Sequence, residues 1–252
     1  MPQHGVPAQD HEGTGQGVIV TPPEPKSIMV IAAHPDDIES WCAGTLARAI
    51  DAGATVRLLL VTSGGKASSD PDATPAIVAA QREQESREAA RLLGITEVAF
   101  LRHPDGEVED TRALRGTLVA WIRRWRPAVL FTHDPEHPIP PYLSHRDHRI
   151  VGRGALDAVY PLARDPLQFP EHRREGHSPH AIGEVWLFAS VVATAYVDIT
   201  DGFERKVAAR LAHESQTSDP VALRQGWRQR AAQVGEPVGL ALAESFTVLR
   251  LD

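Results

Sequence analysis

The stretch MVIAAHPDDIES, Met29 to Ser40, decides how this chain is organised. It begins as a short continuous apolar run, the pattern of a strand buried on both faces of a parallel sheet. It then ends abruptly in a histidine, a proline and two aspartates. Adjacent carboxylates repel each other, and each loses hydration as it nears a core. Such an ending is costly unless a cation or a reaction uses it.

Working outward, the same alternation repeats. SIMVIAA predicts the first strand, and IESWCAGTLARAIDAGA follows as one helix, with Ile38, Trp41, Cys42, Leu46 and Ile50 at helical spacing and Gly53 as its stop. TVRLLLVT is a second strand, AIVAAQREQESREAARLLG a long helix ending on Gly94, EVAFL a third strand, TRALRGTLVAWIRRWR another helix and AVLFT a fourth strand. A helix from about Arg146 to Leu162, the strands EVWLFA and AYVDI, two more helical segments and a terminal strand SFTVLRL complete the chain. The predicted fold class is α/β: a Rossmann-like, mostly parallel sheet with helices on both faces and a C-terminal elaboration. Residues 1–26, rich in Gly, Pro and Gln, read as a flexible N-terminal extension, and residues 27–252 as a single domain.

Composition removes several classes of function. A net charge of -7 opposes a nucleic-acid partner, which needs a basic face. No apolar run is long enough to span a bilayer, and the N-terminus lacks the basic-then-apolar pattern of a signal peptide. A single cysteine, Cys42, makes no internal disulfide and fits a reducing cytoplasm; its place on an apolar stripe marks it as core. SGGKASSDP lacks P-loop spacing, and no G-x-G-x-x-G follows the first strand.

In doubly wound sheets, ligands bind at the carboxyl ends of the strands. HPDD, SGGKASSD, RHPDG and HDPEHP…HRDH each follow one of the first four strands, so they should share one rim. His34 and Asp37 straddle a strand-to-helix turn, where the helix dipole favours a carboxylate. In HRDH, His145 and His148 stand three apart at a helix start, a common way to present metal ligands. Alone, HPDD is equally well a capped helix start beside a satisfied rim histidine, and an isolated HRDH reads better as a solvated helix start. Together on one rim they predict a metal site. Imidazole and carboxylate without thiolate suit zinc or another borderline divalent ion. His34, Asp37 and one histidine of HRDH supply the three ligands of a catalytic zinc. Asp36 and the other histidine are left for proton work.

AHPDDIE…GTLA, TSGGKASSDP, the R-E-Q-E beginning at Arg82, LRHPDGE, HRDH and HESQ at His213 resemble the LmbE-like (PIG-L) family of zinc-dependent N-deacetylases, over most of the chain from Ser27. The resemblance implies that His34, Asp37 and His148 hold one zinc and that Asp36 is the general base. It makes His145 the group that stabilises the oxyanion or acts as acid, with Asp147 orienting it and favouring its charged form. It also implies a substrate-contacting role for Arg82, while Asp105 on the rim and Tyr142 in the proline-rich loop HPIPPYL are candidates to meet a sugar. A surface pairing of Arg82 with Glu83 or Glu85, a plain turn at Asp105 and loop packing of Tyr142 are the bland alternatives, and His133 after the fourth strand is equally open. The implied reaction removes an acetyl or other acyl group from the amino group of a small N-acylated amino sugar or glycoconjugate. Inositol- or malate-linked sugars of thiol pathways, phosphatidylinositol-linked sugar, chitin fragments and antibiotic intermediates are substrates of the family. The rival readings are an amidase for a non-sugar acylated amine or thiol conjugate, a silent zinc-binding homologue, and a two-metal phosphoesterase, which needs more carboxylates than this rim supplies. A homo-oligomer is compatible with the chain.

Overall fold

The structure, a computed structural model, describes residues 17–23, 26–136 and 144–251. The elements run β1 (Val18–Ile19), β2 (Ser27–Ala32), α1 (Asp37–Trp41), α2 (Ala43–Asp51), β3 (Thr55–Thr62), α3 (Pro75–Leu93), β4 (Glu97–His103), α4 (Arg112–Trp125), β5 (Val129–His133), α5 (Arg146–Asp157), α6 (Pro170–Arg174), β6 (Glu184–Phe188), β7 (Ala195–Asp198), α7 (Phe203–Leu211), α8 (Pro220–Gly235) and β8 (Ala243–Arg250). They form one eight-stranded sheet in the order β1-β7-β8-β6-β5-β2-β3-β4. From β4 across to β6 every pairing is parallel, and β8 runs antiparallel to both its neighbours, β6 and β7.

The period of two along each central strand sorts its side chains into two cores. Ile28, Val30 and Ala32 of β2 join Val56, Leu58 and Leu60 of β3 and Phe131 of β5 under α2, α3 and α7. Met29, Ile31 and Ala33 join Leu59, Val61 and Leu130 on the opposite face, under Leu114, Leu118 and Ile122 of α4 and Val151 and Ala155 of α5. Burial on both faces explains why these strands read as unbroken apolar runs.

Three local expectations change. The helix predicted after β2 is two helices, because Cys42 leaves helical geometry (φ -140°, ψ 0°) between α1 and α2; it is fully buried as core, as read. The helix predicted to Leu162 ends at Asp157 and passes into a π-type turn over Ala158–Leu162, where Tyr160 is extended before Pro161. Val18 and Ile19, read as part of the flexible extension, add an edge strand parallel to β7. Gly53 and Gly94 close their helices in positive-φ conformations, the backbone region the sequence asked of them.

The sheet order reverses at β2, whose neighbours are β3 on one side and β5 on the other. The crevice beyond their carboxyl ends is the topological switch point where such folds hold ligands. HPDD sits there, with the ends of β4 and β5 and the start of α5 around it.

Candidate metal and catalytic site

The turn after β2 is built to converge. Asp36 takes a left-handed backbone conformation (φ 83°), uncommon for a residue other than glycine. This twist lets the Asp37 carboxylate fold back, and its Oδ2 accepts the His34 backbone N–H at 2.7 Å. Across the crevice, α5 approaches β5 so closely that a Cβ at Gly152 would stand 2.5 Å from the His133 carbonyl oxygen. That contact brings His148, one turn before Gly152, to the end of β5.

The side chains meet there. His34 Nδ1 lies 3.1 Å from His148 Nε2, His148 Nε2 lies 3.1 Å from Asp37 Oδ1, and His34 Nδ1 lies 3.7 Å from Asp37 Oδ2. Four ligands held tetrahedrally at zinc distances of ~2.0 Å stand about 3.3 Å apart, so these spacings fit the edges of one coordination shell. Two imidazole nitrogens facing at 3.1 Å beside a carboxylate can share one proton or hold a cation between them. Among the described residues, three overlapping groups bring ligand atoms within 4.8 Å of one another: His34, His145 and His148; His34, Asp105, His145 and Asp147; and Asp37, His133 and His148. The trio expected from sequence spans two of these groups.

The outer ring nitrogen of His34 faces carboxylates: Nε2 lies 3.2 Å from Asp147 Oδ2 and 3.2 Å from Asp105 Oδ1. A carboxylate on the far nitrogen fixes the tautomer of a ligating histidine and raises its basicity. Burial works to lower the His34 pKa, but Asp105, Asp147 and Asp37 outweigh it and raise it to about 10. His34 in turn holds Asp105 down at about 2. Asp147 is fully buried, and its carboxylate also accepts the backbone N–H groups of Gly106 at 2.7 Å and Val108 at 3.3 Å. The hydrogen-bond partner of the Asp147 carboxylate among the site histidines is His34 and not the His145 it was expected to orient. What orients His145 is its own helix: Nδ1 accepts the Asp147 backbone N–H at 3.2 Å. Burial, with His34 and His148 nearby, lowers the His145 pKa, outweighing the nearby Asp147 charge that was expected to favour its charged form. A neutral ring whose Nδ1 accepts carries its proton on Nε2, where it can be donated.

Asp36 stands beside this group without joining the ligand clusters. Burial and the Asp37 charge raise its pKa, against Arg82 (Nη2 to Oδ1, 3.3 Å) and Arg210 (Nη2 to Oδ2, 3.7 Å). A carboxylate of raised pKa, braced by two arginines, suits a general base. Arg82 is buried and pairs with neither Glu83 nor Glu85; its guanidinium holds Asp36 and donates to the carbonyls of Pro35 (2.6 Å) and Gly64 (3.1 Å). Tyr142 lies outside the described residues.

His133, left open by its position in sequence, proves central. It is buried, with Nε2 3.1 Å from Asp37 Oδ2, and its ring stacks on that of His148 at 4.1 Å between centroids. Burial lowers its pKa to about 4, so it packs as a neutral ring and fixes both partners. Only its place directly after an apolar strand pointed to it. A cavity of about 630 Å³ opens over the cluster, lined by His34, Asp36, Asp37, Arg82, His145 and His148, with Lys66 and Asp105 at its edge.

The switch point of this α/β sheet thus carries a candidate His/Asp metal site, a separate carboxylate of raised pKa and a histidine of lowered pKa. Residues 29–159 match the PIG-L family, described as GlcNAc-PI de-N-acetylase, and the chain belongs to that family of deacetylases. It is 32% identical over 196 residues to diacetylchitobiose deacetylase of Thermococcus kodakarensis, covering 78% of this chain and 72% of that one. The solved N,N'-diacetylchitobiose deacetylase of Pyrococcus horikoshii, in complex with its inhibitor MPG, superposes with a TM-score of 0.83 at 30% identity, over 89% of this chain and 84% of that one. GalB of Pseudomonas putida, a 4-carboxy-2-hydroxymuconate hydratase, shares the fold at 21% identity (TM-score 0.75, 90% of this chain and 97% of that one), so the sheet alone does not set the reaction. No helix among the described residues is long and apolar enough to cross a membrane.

Proposed function

We propose that this chain is a zinc-dependent N-deacetylase of small amino sugars of the N-acetylglucosamine type. The observation that carries the reading is the convergence of His34 Nδ1, His148 Nε2 and the Asp37 carboxylate within one coordination shell, next to an Asp36 that is not part of it. His34, Asp37 and His148 would hold the cation, which when bound polarises an amide carbonyl and acidifies water. The chain's own residues do the rest. Asp36 receives the proton of the attacking water. His145 donates its Nε2–H toward the oxygen that gains charge, a contribution of ~3 kcal/mol for one such donor. Asp36 then passes its proton to the departing amine, and acetate leaves. Asp147, Asp105 and His133 keep the ligands in place. Arg82 keeps Asp36 in place, and its position on the cavity wall supports a contact with sugar hydroxyls. The relatives act on N-acetylated amino sugars by their names, which supports the same substrate class here.

The test pairs metal analysis of the purified chain with acetate release from free N-acetylglucosamine, its glycosides and N,N'-diacetylchitobiose. About one zinc per chain and acetate from at least one sugar is the expected result. Zinc without acetate from any sugar would move the acyl donor outside amino sugars, and a chain that takes up no divalent metal would end the reading.

A further inference from the structure

Lys66 and Asp105, at the edge of the catalytic cavity, also border a second one. It measures about 530 Å³ and lies between the start of α3 and the end of β4. Its floor is Pro75, Ala76, Ala79 and Ala80, which share one side of α3 at helical spacing and present only small apolar groups. Its far wall is Arg102 and His103.

This chamber is built. Gly65 closes one end so tightly against α3 that a Cβ there would stand 2.7 Å from the Pro75 carbonyl oxygen. The register between β3 and β4 shifts between Leu60 and Thr62, an irregularity of the kind that re-aims side chains beside active sites. Facing it, Arg102 sits in a left-handed conformation (φ 58°) although it is not glycine. Such backbone persists only where its surroundings over-determine it. Here Glu83 does so, accepting Arg102 through two hydrogen bonds at 2.7 and 2.9 Å while also accepting the Ser63 hydroxyl at 2.7 Å.

The ionic groups at the rim are thus paired with one another: Arg102 with Glu83, Lys66 with Glu107, and the Lys66 backbone N–H with Asp105. A phosphate would meet the carboxylates of Glu83, Glu107 and Asp105 beside these two cations, and a second, hydroxyl-rich sugar would find no polar group on the alanine shelf. A flat apolar group needs only the alanine shelf. We propose that this chamber receives the aglycone of the substrate, an aryl or alkyl group carried by the amino sugar whose acyl group faces His34, Asp36 and His148. The proposal rests on the deacetylase reading above.

The experiment measures acetate release from phenyl and methyl N-acetylglucosaminide, free N-acetylglucosamine and N,N'-diacetylchitobiose. The phenyl glycoside should exceed the methyl glycoside in kcat/KM by about tenfold or more, mainly through KM. Ala76→Trp and Ala80→Trp fill the chamber from exposed positions on α3, where the fold tolerates bulk, and each should erase that ratio. A phenyl-to-methyl ratio near one, a ratio that survives both substitutions, or a larger gain from the second sugar of diacetylchitobiose than from phenyl would overturn the proposal while leaving the deacetylase reading intact. Acetate from none of the four would remove both.

Discussion

Asp147→Asn separates the two roles this residue could have, because it changes one atom of a fully buried group. The carboxylate faces three donors: the His34 ring at 3.2 Å, Gly106 N–H at 2.7 Å and Val108 N–H at 3.3 Å. An asparagine has one accepting oxygen, and its NH₂ must then point at another donor, so at least one partner loses its acceptor. If His34 loses it, Nε2 keeps only the Asp105 carboxylate to hold its proton, and Nδ1 becomes a poorer ligand. Loss of such a supporting carboxylate costs about 10–100-fold in metal affinity, or roughly 1.4–2.7 kcal/mol. Zinc dissociation constants from competition with a chromophoric chelator should therefore rise by that factor, and turnover at saturating zinc should recover most of the loss. His145→Ala should do the reverse, lowering kcat with the zinc affinity intact. An Asp147→Asn protein that binds zinc like the wild type yet turns over slowly would mean that the carboxylate serves His145 after all, and the account of His34 would fall.

Asp36→Asn should retain about one zinc per chain and lose about 10²–10⁴ in kcat, the usual weight of a general base; unchanged acetate release would remove Asp36 from the mechanism. Arg123, buried in α4, donates to the carbonyls of Leu162, Ala163, Asp165, Gln168 and Phe169. Arg123→Gln leaves several of these without a partner and should cost about 3 kcal/mol or more in urea unfolding, whereas a loss below ~1 kcal/mol would show that water replaces the guanidinium. The Glu83 pKa is lowered: burial raises it, but the hydrogen bonds from Arg102 and Ser63 win. A depressed folded value stabilises the protein above the unfolded carboxylate pKa of ~4.3, and that contribution disappears as pH falls through the folded value. The stability gap between wild type and Glu83→Gln should accordingly narrow from about pH 6 to pH 3 in thermal unfolding scans; a gap independent of pH contradicts the pairing. Deleting residues 243–252 removes β8, and limited proteolysis should then cut freely around 17–23 and 189–198 while the β2–β5 core resists; uniform resistance would show that the edge strands hold without it.

The central strands and the switch-point location of HPDD were legible because they depend on local signals: continuous apolar runs, glycine stops and the residues just after each strand. The pair of HRDH histidines was legible for the same reason. What escaped depends on partners far apart in the chain. His133 and Asp37 are 96 residues apart, and Asp147 and His34 are 113 apart, so no spacing rule joins them. The break at Cys42 escaped because the apolar stripe runs through it: Ile38, Cys42 and Leu46 face one core whether the backbone is continuous or kinked. Arg82 kept a helix-surface alternative open because a helical arginine with glutamates nearby has the pattern of an exposed pair, and only the packing of α3 against the β2 turn turns it inward. The antiparallel insertion of β8 had no sequence cue, since a strand's direction is not written in its side chains.

That insertion imposes an order on assembly. β1 reaches the sheet only through β7, and β7 only through β8, which lies more than 200 residues after β1 in sequence. A nascent chain can pair β2 to β6 as they emerge, and with them the rim that carries His34, Asp37, His133 and His148. Val18–Ile19 must therefore wait for Ala243–Arg250, and this edge of the sheet is finished only after β8 has been made.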